Sequence, residues 1–323
     1  MPKPHYYSLK DYLKQRFGGR VQRVTLEGGF TCPNIDGTKS AGGCTFCTDD
    51  GSSSGAQNAG LTIKQQLEEG IRKQSQRFNC EQFIAYFQSF TNTYADVDYL
   101  RGLYDQAIDH PQVKVLAIGT RPDCVPEEVI DLFEEYTARG FEVWVDIGVQ
   151  TSHNITLEKV NRAHTWEDFV DAARRLAARN NSLLRICTHV IIGLPGETTE
   201  MVYQTADKLA QCPIDDIKIH QLCVFKGTAM EIDYLNGELE VYENEDDYIP
   251  IVSEFIRRMP AGITIQRVMG EGKIGEIVAP AWADHGMKNL FLNKFYKYLE
   301  DNQVYQGTHV SSSLAMEVTR DRA

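Results

Sequence analysis

The sequence predicts an α/β protein whose core is a partial (β/α)6 TIM-type barrel, with short N- and C-terminal extensions. Three observations carry that expectation. Short β-branched or apolar runs alternate with amphipathic helical segments between residues 21 and 240, the pattern of βα units around a parallel sheet. The later runs are apolar on one face and ionisable on the other. Six such units suit an incomplete barrel better than an eightfold one.

The runs place strands at 21–26, 83–88, 113–119, 142–149, 185–192 and 216–221. Helices follow near 62–78, from Pro126 to a stop at Gly140, 166–179 and 199–210. Thr62 with Gln65 reads as a capping box, and Thr165 as an N-cap before Trp166. In the fourth strand Val143, Val145, Ile147 and Val149 share one face, against Glu142, Trp144 and Asp146. The fifth sets Ile186, Val190 and Ile192 against Arg185, Cys187 and His189, and the sixth sets Ile217 and Ile219 against Lys218 and His220. A sheet with its apolar face outward and ionisable groups inward holds a site in its lumen rather than a dry core.

Composition narrows the function. The chain has 323 residues and 42% hydrophobic content, enough for a sizeable core. No run of about 18 apolar residues occurs, and Lys3, Lys10, Asp11, Lys14 and Arg16 interrupt any apolar leader, so no membrane partner and a cytoplasmic location are expected. Eight cysteines, unevenly spread, then read as reduced thiols and metal ligands rather than disulfides. A net charge of -12 argues against a nucleic-acid coat protein, though it leaves room for a local basic cleft. The acidic run 238–247 (ELEVYENEDD) reads as a solvated loop or helix face, 48–60 as a flexible loop, and 302–323 as a flexible tail.

After the first strand, Cys32, Cys44 and Cys47 stand in one loop, with eleven residues and then two between them. Gly37, Gly42 and Gly43 permit the backbone angles of a tight wrap around an inorganic cluster. A structural zinc site normally closes with four ligands, and nothing local supplies the fourth. Three thiolates on an iron-sulfur cluster leave one iron open to a small molecule.

These residues, with 118–124 (IGTRPDC), 146–150 (DIGVQ), 161–164 (NRAH) and 193–198 (GLPGET), make the chain resemble the radical SAM superfamily. The likeness is to the branch that includes the catalytic subunit of Elongator and oxygen-independent coproporphyrinogen oxidase, and in particular to a stand-alone bacterial group with a widened CxnCxxC loop. It spans roughly residues 20–290. The resemblance implies a [4Fe-4S] cluster on Cys32, Cys44 and Cys47, and reductive cleavage of S-adenosylmethionine (SAM) to a 5'-deoxyadenosyl radical that abstracts hydrogen from a substrate. It implies that Phe46 shields the adenine or cluster, that Ser89 and Thr91 lie where the SAM amino group is received, and that Gln150 and Arg162 meet the ribose or methionine portion and the carboxylate. His189 stands at a ribose position that is acidic in some relatives, and Asp146 and Lys218 would line the remaining cavity. Cys124 and Cys187 fall near the mouth or lumen, and Cys80, Cys212 and Cys223 read as buried small apolar residues. No further catalytic residue is assigned beyond the cluster.

An external flavodoxin- or ferredoxin-type electron donor follows from the same resemblance, as does tRNA wobble-uridine side-chain modification. No acetyltransferase domain is expected after residue 301, so Elongator's own acetyl transfer is not. Arg257, Arg258, Arg267, Lys273, Lys288, Lys294 and Lys297 would supply a local RNA patch, or form solvated helix faces. Two alternatives stay open: a radical SAM enzyme for a small metabolite or cofactor precursor, and a zinc-stabilised binding module. The expected segments are an extension at 1–20, the barrel core at 21–240, an α/β extension closing the barrel at 241–301, and the tail.

Overall fold

The structure, a computed structural model, describes residues 4–51 and 60–310. The chain enters through helix α1 (Leu9–Phe17), capped by Ser8 and stopped by Gly18 in the left-handed region at φ 73°. It continues through β1 (Val21–Leu26), α2 (Ile63–Phe78), β2 (Gln82–Phe87), α3 (Val97–Ile108), β3 (Val113–Thr120) and α4 (Glu127–Ala138). Next come β4 (Glu142–Gln150), α5 (Asn154–Lys159), α6 (Trp166–Ala178), β5 (Leu184–Ile192), α7 (Thr199–Leu209) and β6 (Asp216–Gln221). The remainder is β7 (Val224–Phe225), α8 (Ala229–Leu235), α9 (Glu245–Arg258), β8 (Thr264–Arg267), β9 (Ile277–Ala279) and α10 (Lys288–Asp301).

Seven strands form one curled parallel sheet in the order β1-β2-β3-β4-β5-β6-β8. The sequence reading named six. The seventh, β8, has only four residues, too few to show an alternation, and lies inside the stretch expected as a separate extension. In the main sheet β1 and β8 are the two edges, and the Arg23 guanidinium on β1 donates to Gln266 Oε1 on β8 across the opening.

The outward strand residues Val143, Val145, Ile147, Ile186 and Ile217 are buried with Phe133 of α4, Phe169 of α6 and Leu209 of α7 in one continuous core. The inward face divides by height. At its N-terminal end, Ile84, Tyr86, Val115, Ala117 and Trp144 bury against Tyr12 and Leu13 of α1, which plugs the barrel. Glu142 is held there by Tyr12 Oη at 2.9 and 2.8 Å, Trp144 Nε1 at 3.0 Å, and Arg16. Arg185 reaches Asp216 Oδ2 at 2.9 Å and lies 4.0 Å above the Tyr12 ring. Glu142, Trp144 and Arg185, expected to face a site, therefore build its floor. Only the upper inward residues open onto a cavity.

Local signals act as read. Thr62 and Gln65 form a reciprocal capping box, and Thr165 does the same with Asp168. The acidic run is part ordered helix: Asn244 caps α9, and Glu245, Asp246 and Asp247 occupy its first turn, where the helix dipole favours them. The flexible tail does not begin at residue 302. Val304 is buried, and Gln306 Nε2 donates to Pro260 O and Ile263 O at 2.7 and 2.8 Å while its Oε1 accepts from Tyr7 N. Residues 311–323 and most of the 48–60 loop lie outside the described residues. Among the described residues no helix is long and apolar enough to cross a membrane.

Candidate functional site

The C-terminal ends of the strands open into one cavity of about 870 Å³, with Cys32, Cys44 and Cys47 at its mouth. The loop that carries them is held by polar side chains from the next elements. Asn161, itself at φ 51°, donates from Nδ2 to Gly43 O at 2.7 Å and Ala41 O at 3.1 Å, and accepts from Ser40 Oγ at 2.9 Å. Asn34 Nδ2 returns the clamp to Asn161 O at 2.5 Å. Arg121, fully buried, donates to Arg162 O at 2.9 Å and Ala163 O at 3.0 Å and pairs with Asp123, which also binds Lys39 of the cysteine loop at 2.5 Å.

The donor set fits a cluster. Asn34 Nδ2 and Arg162 Nη1 approach Cys44 Sγ at 3.4 and 3.5 Å, the hydrogen bonding that thiolate-ligated centres use. Burial, then the neighbouring Cys44, push the Cys47 thiol up to about 12. A cationic centre shared by the three sulfurs relieves that penalty.

Behind the loop, Arg162 Nη2 donates to Gly148 O at 2.8 Å, and its buried Nε has no partner among the described residues, leaving a donor for an anion. Gly148 makes this possible: a Cβ there would stand 2.7 Å from Arg162 Nη2 and 2.8 Å from Gln150 Nε2. The strand bulges between Gly148 and Gln150, and Gln150 takes φ 69°, which turns its amide into the cavity with Arg162. Phe46 lines the same cavity and packs on Val160, Leu194 and Leu222.

Lower in the lumen, Lys218 Nζ bonds Asp146 Oδ2, and His189 Nε2 lies 3.5 Å from that oxygen. Burial acts to raise the Asp146 pKa, but Lys218 and His189 hold the carboxyl well below the usual range. Burial, then Lys218, pull His189 down to about 4. The ligand atoms of Asp146, Cys187 and His189 lie within 4.8 Å of one another, yet the Lys218 ammonium already supplies the cation there.

Not every expected residue joins the cavity. Thr91 lines it, with its backbone N bonded to Thr31 O at 3.2 Å, but Ser89 turns away and donates to Glu27 Oε1 at 2.8 Å. Cys124 and Cys187 are buried off the cavity wall, whereas Cys223, read as a core residue, lines it. The late basic residues do not gather into one patch. Arg258 pairs with Glu254 and Asp207, Lys273 with Asp50 and Glu276, Lys288 with Glu271, and Lys294 with Glu245; Arg267 faces the lumen. Asn161 and Arg121 were quoted in motifs without a role, because both work through backbone carbonyls of distant segments.

Comparison with known proteins gives the family. The Radical SAM superfamily model matches residues 36–209, and the Radical_SAM C-terminal domain matches residues 214–300. YtqA of Bacillus subtilis (strain 168) is 36% identical over 302 residues, 94% of this chain and 92% of that protein. The tRNA uridine(34) acetyltransferase of Methanocaldococcus jannaschii is 30% identical over 193 residues, 58% of this chain but 33% of that enzyme. The fold is similar to that of archaeal Methanocaldococcus infernus Elp3, with a TM-score of 0.67 and 19% identity, over 88% of this chain and 64% of that one. The chain belongs to the radical SAM superfamily of enzymes, a family that uses a [4Fe-4S] cluster and SAM.

Proposed function

We propose that this radical SAM enzyme processes the side chain of the wobble uridine in tRNA, in the cytoplasm, using electrons from a flavodoxin- or ferredoxin-type donor. The observation that carries the reading is the likeness to the tRNA uridine(34) acetyltransferase, which extends over 58% of this chain. In this reading Cys32, Cys44 and Cys47 hold the cluster. Arg162 presents its free Nε–H to the SAM carboxylate, and Gln150, Thr91 and Phe46 hold the rest of SAM against the loop. Bound together, the cluster and SAM supply the hydrogen-abstracting radical; the chain orients the substrate carbon and excludes water. Asp146, Lys218 and His189 bound the far side of the cavity and fix its polarity.

A small metabolite or cofactor precursor is the second reading, and the ion pairing of the late basic residues favours it. Mass spectrometry of tRNA nucleosides from a strain lacking the gene separates the two. The tRNA reading expects a wobble-uridine precursor to accumulate and the product to disappear, with restoration by the wild-type gene but not by Cys47→Ala. An unchanged nucleoside profile would overturn it.

A further inference from the structure

The charge balance of the lumen is uneven. Arg23 on β1, Lys218 on β6 and Arg267 on β8 bring cationic groups to one wall. Arg23 is engaged by Gln266, and Lys218 by Asp146. Arg267 lines the cavity, and its guanidinium makes no hydrogen bond or ion pair among the described residues. Of the carboxylates that act on its charge, Asp146 is held by Lys218, and Glu271 by Lys288 at 2.8 Å. A half-buried guanidinium without an anion is costly, and its planar fork of donors matches a carboxylate or phosphate edge.

The neighbours complete a receptor for such a group. His189 and His220 stack with centroids 5.8 Å apart and planes at 24°, and the buried Nε2 of His220 has no partner among the described residues. Burial, then Arg267, hold His220 neutral at physiological pH, so it keeps one N–H to donate without competing for the anion. Gly270 keeps the space beside this ring, since a Cβ there would stand 3.0 Å from His220 Nδ1.

We propose that Arg267, flanked by His220, is the anchor of an oxyanion subsite that binds a carboxylate or phosphate group of the substrate in the lumen. The inference rests on reading this cavity as the substrate site, and not on the substrate being tRNA. The subsite sets specificity: it orients the reacting part of the substrate by its charged end, and a neutral analogue would leave Arg267 unpaired again.

Phenylglyoxal labelling of Arg267 in the reconstituted, SAM-loaded enzyme tests this, mapped by peptide mass spectrometry with acetate or inorganic phosphate present and chloride at equal ionic strength as control. The expected result is that one of the two oxyanions slows labelling of Arg267 by about tenfold while labelling of Arg257 is unchanged. Protection by acetate at the lower concentration assigns a carboxylate, and by phosphate a phosphate group. Arg267→Gln should retain cluster content and the SAM-induced change in the cluster's electron paramagnetic resonance signal, yet lose substrate processing, with partial recovery in Arg267→Lys. Labelling slowed by neither anion beyond chloride, or full processing by Arg267→Gln, would overturn the proposal. If deletion of the gene leaves tRNA nucleosides unchanged, the tRNA reading fails while the protection experiment still judges the subsite.

Discussion

Gly148 lacks a side chain because Arg162 and Gln150 occupy the space one would fill. Gly148→Ala therefore pushes the guanidinium off Gly148 O, at about 1–3 kcal/mol of overpacking. The expected outcome is a SAM dissociation constant raised about tenfold or more with iron and sulfide content unchanged, read by equilibrium dialysis on the reconstituted protein. The Lys218–Asp146 pair makes a different prediction. Lys218→Met leaves a carboxylate buried without its cation, which costs about 3–5 kcal/mol, so the variant should melt well below wild type, and Asp146→Asn in the same chain should recover part of the loss. The residues that the fold gathers at the cavity, Cys32, Cys44, Cys47, Gln150 and Arg162, were legible in the sequence because chemistry restricts them: thiols at short spacing, and an arginine in register with a glutamine after a strand. Asn161 and Arg121 were not, because a side chain that pins remote carbonyls needs only donors and the right fold. Ser89 misled for the converse reason: its hydroxyl is satisfied by Glu27 as readily as by a ligand.

Helix α1 and the turn after β5 show how elements set the site without entering it. Tyr12 is one of three groups that hold Glu142 at the plugged end of the barrel, so Tyr12→Phe should cost about 1–2 kcal/mol in thermal unfolding while SAM cleavage stays at wild-type rate. In the 193–198 turn, the Glu197 carboxyl accepts from Thr151 Oγ1 at 2.5 Å, and burial pushes it up to about 7. The folded chain then keeps a proton that the unfolded chain releases near 4.5, so stability falls as pH rises through that window and is flat above it. Glu197→Gln should remove the dependence, raising stability at about pH 8 by roughly 1–3 kcal/mol and leaving it unchanged near pH 4.5, as thermal melts across pH would show. Six strands and four helices were legible because each runs for six or more residues. Strand β8 is too short to do so, and α10, with Phe291, Phe295 and Leu299 buried four apart, hides its stripe among aromatic residues that a surface tail also carries.

Taken whole, the molecule is an open barrel sealed at one end by α1 and furnished at the other by a loop that carries three thiols. The polar inward face serves two ends at once: Glu142, Arg185 and Asp216 are spent on the floor, which frees Asp146, His189, Lys218 and Arg267 to shape the cavity. All of this has a purpose only if the thiols hold a redox-active cluster that meets SAM. Anaerobic reconstitution with iron and sulfide, followed by dithionite and SAM, puts the account to its most direct test through the 5'-deoxyadenosine formed. Wild type is predicted to form it and Cys44→Ala to form none; stoichiometric zinc in place of iron, with no 5'-deoxyadenosine from either protein, would contradict the account.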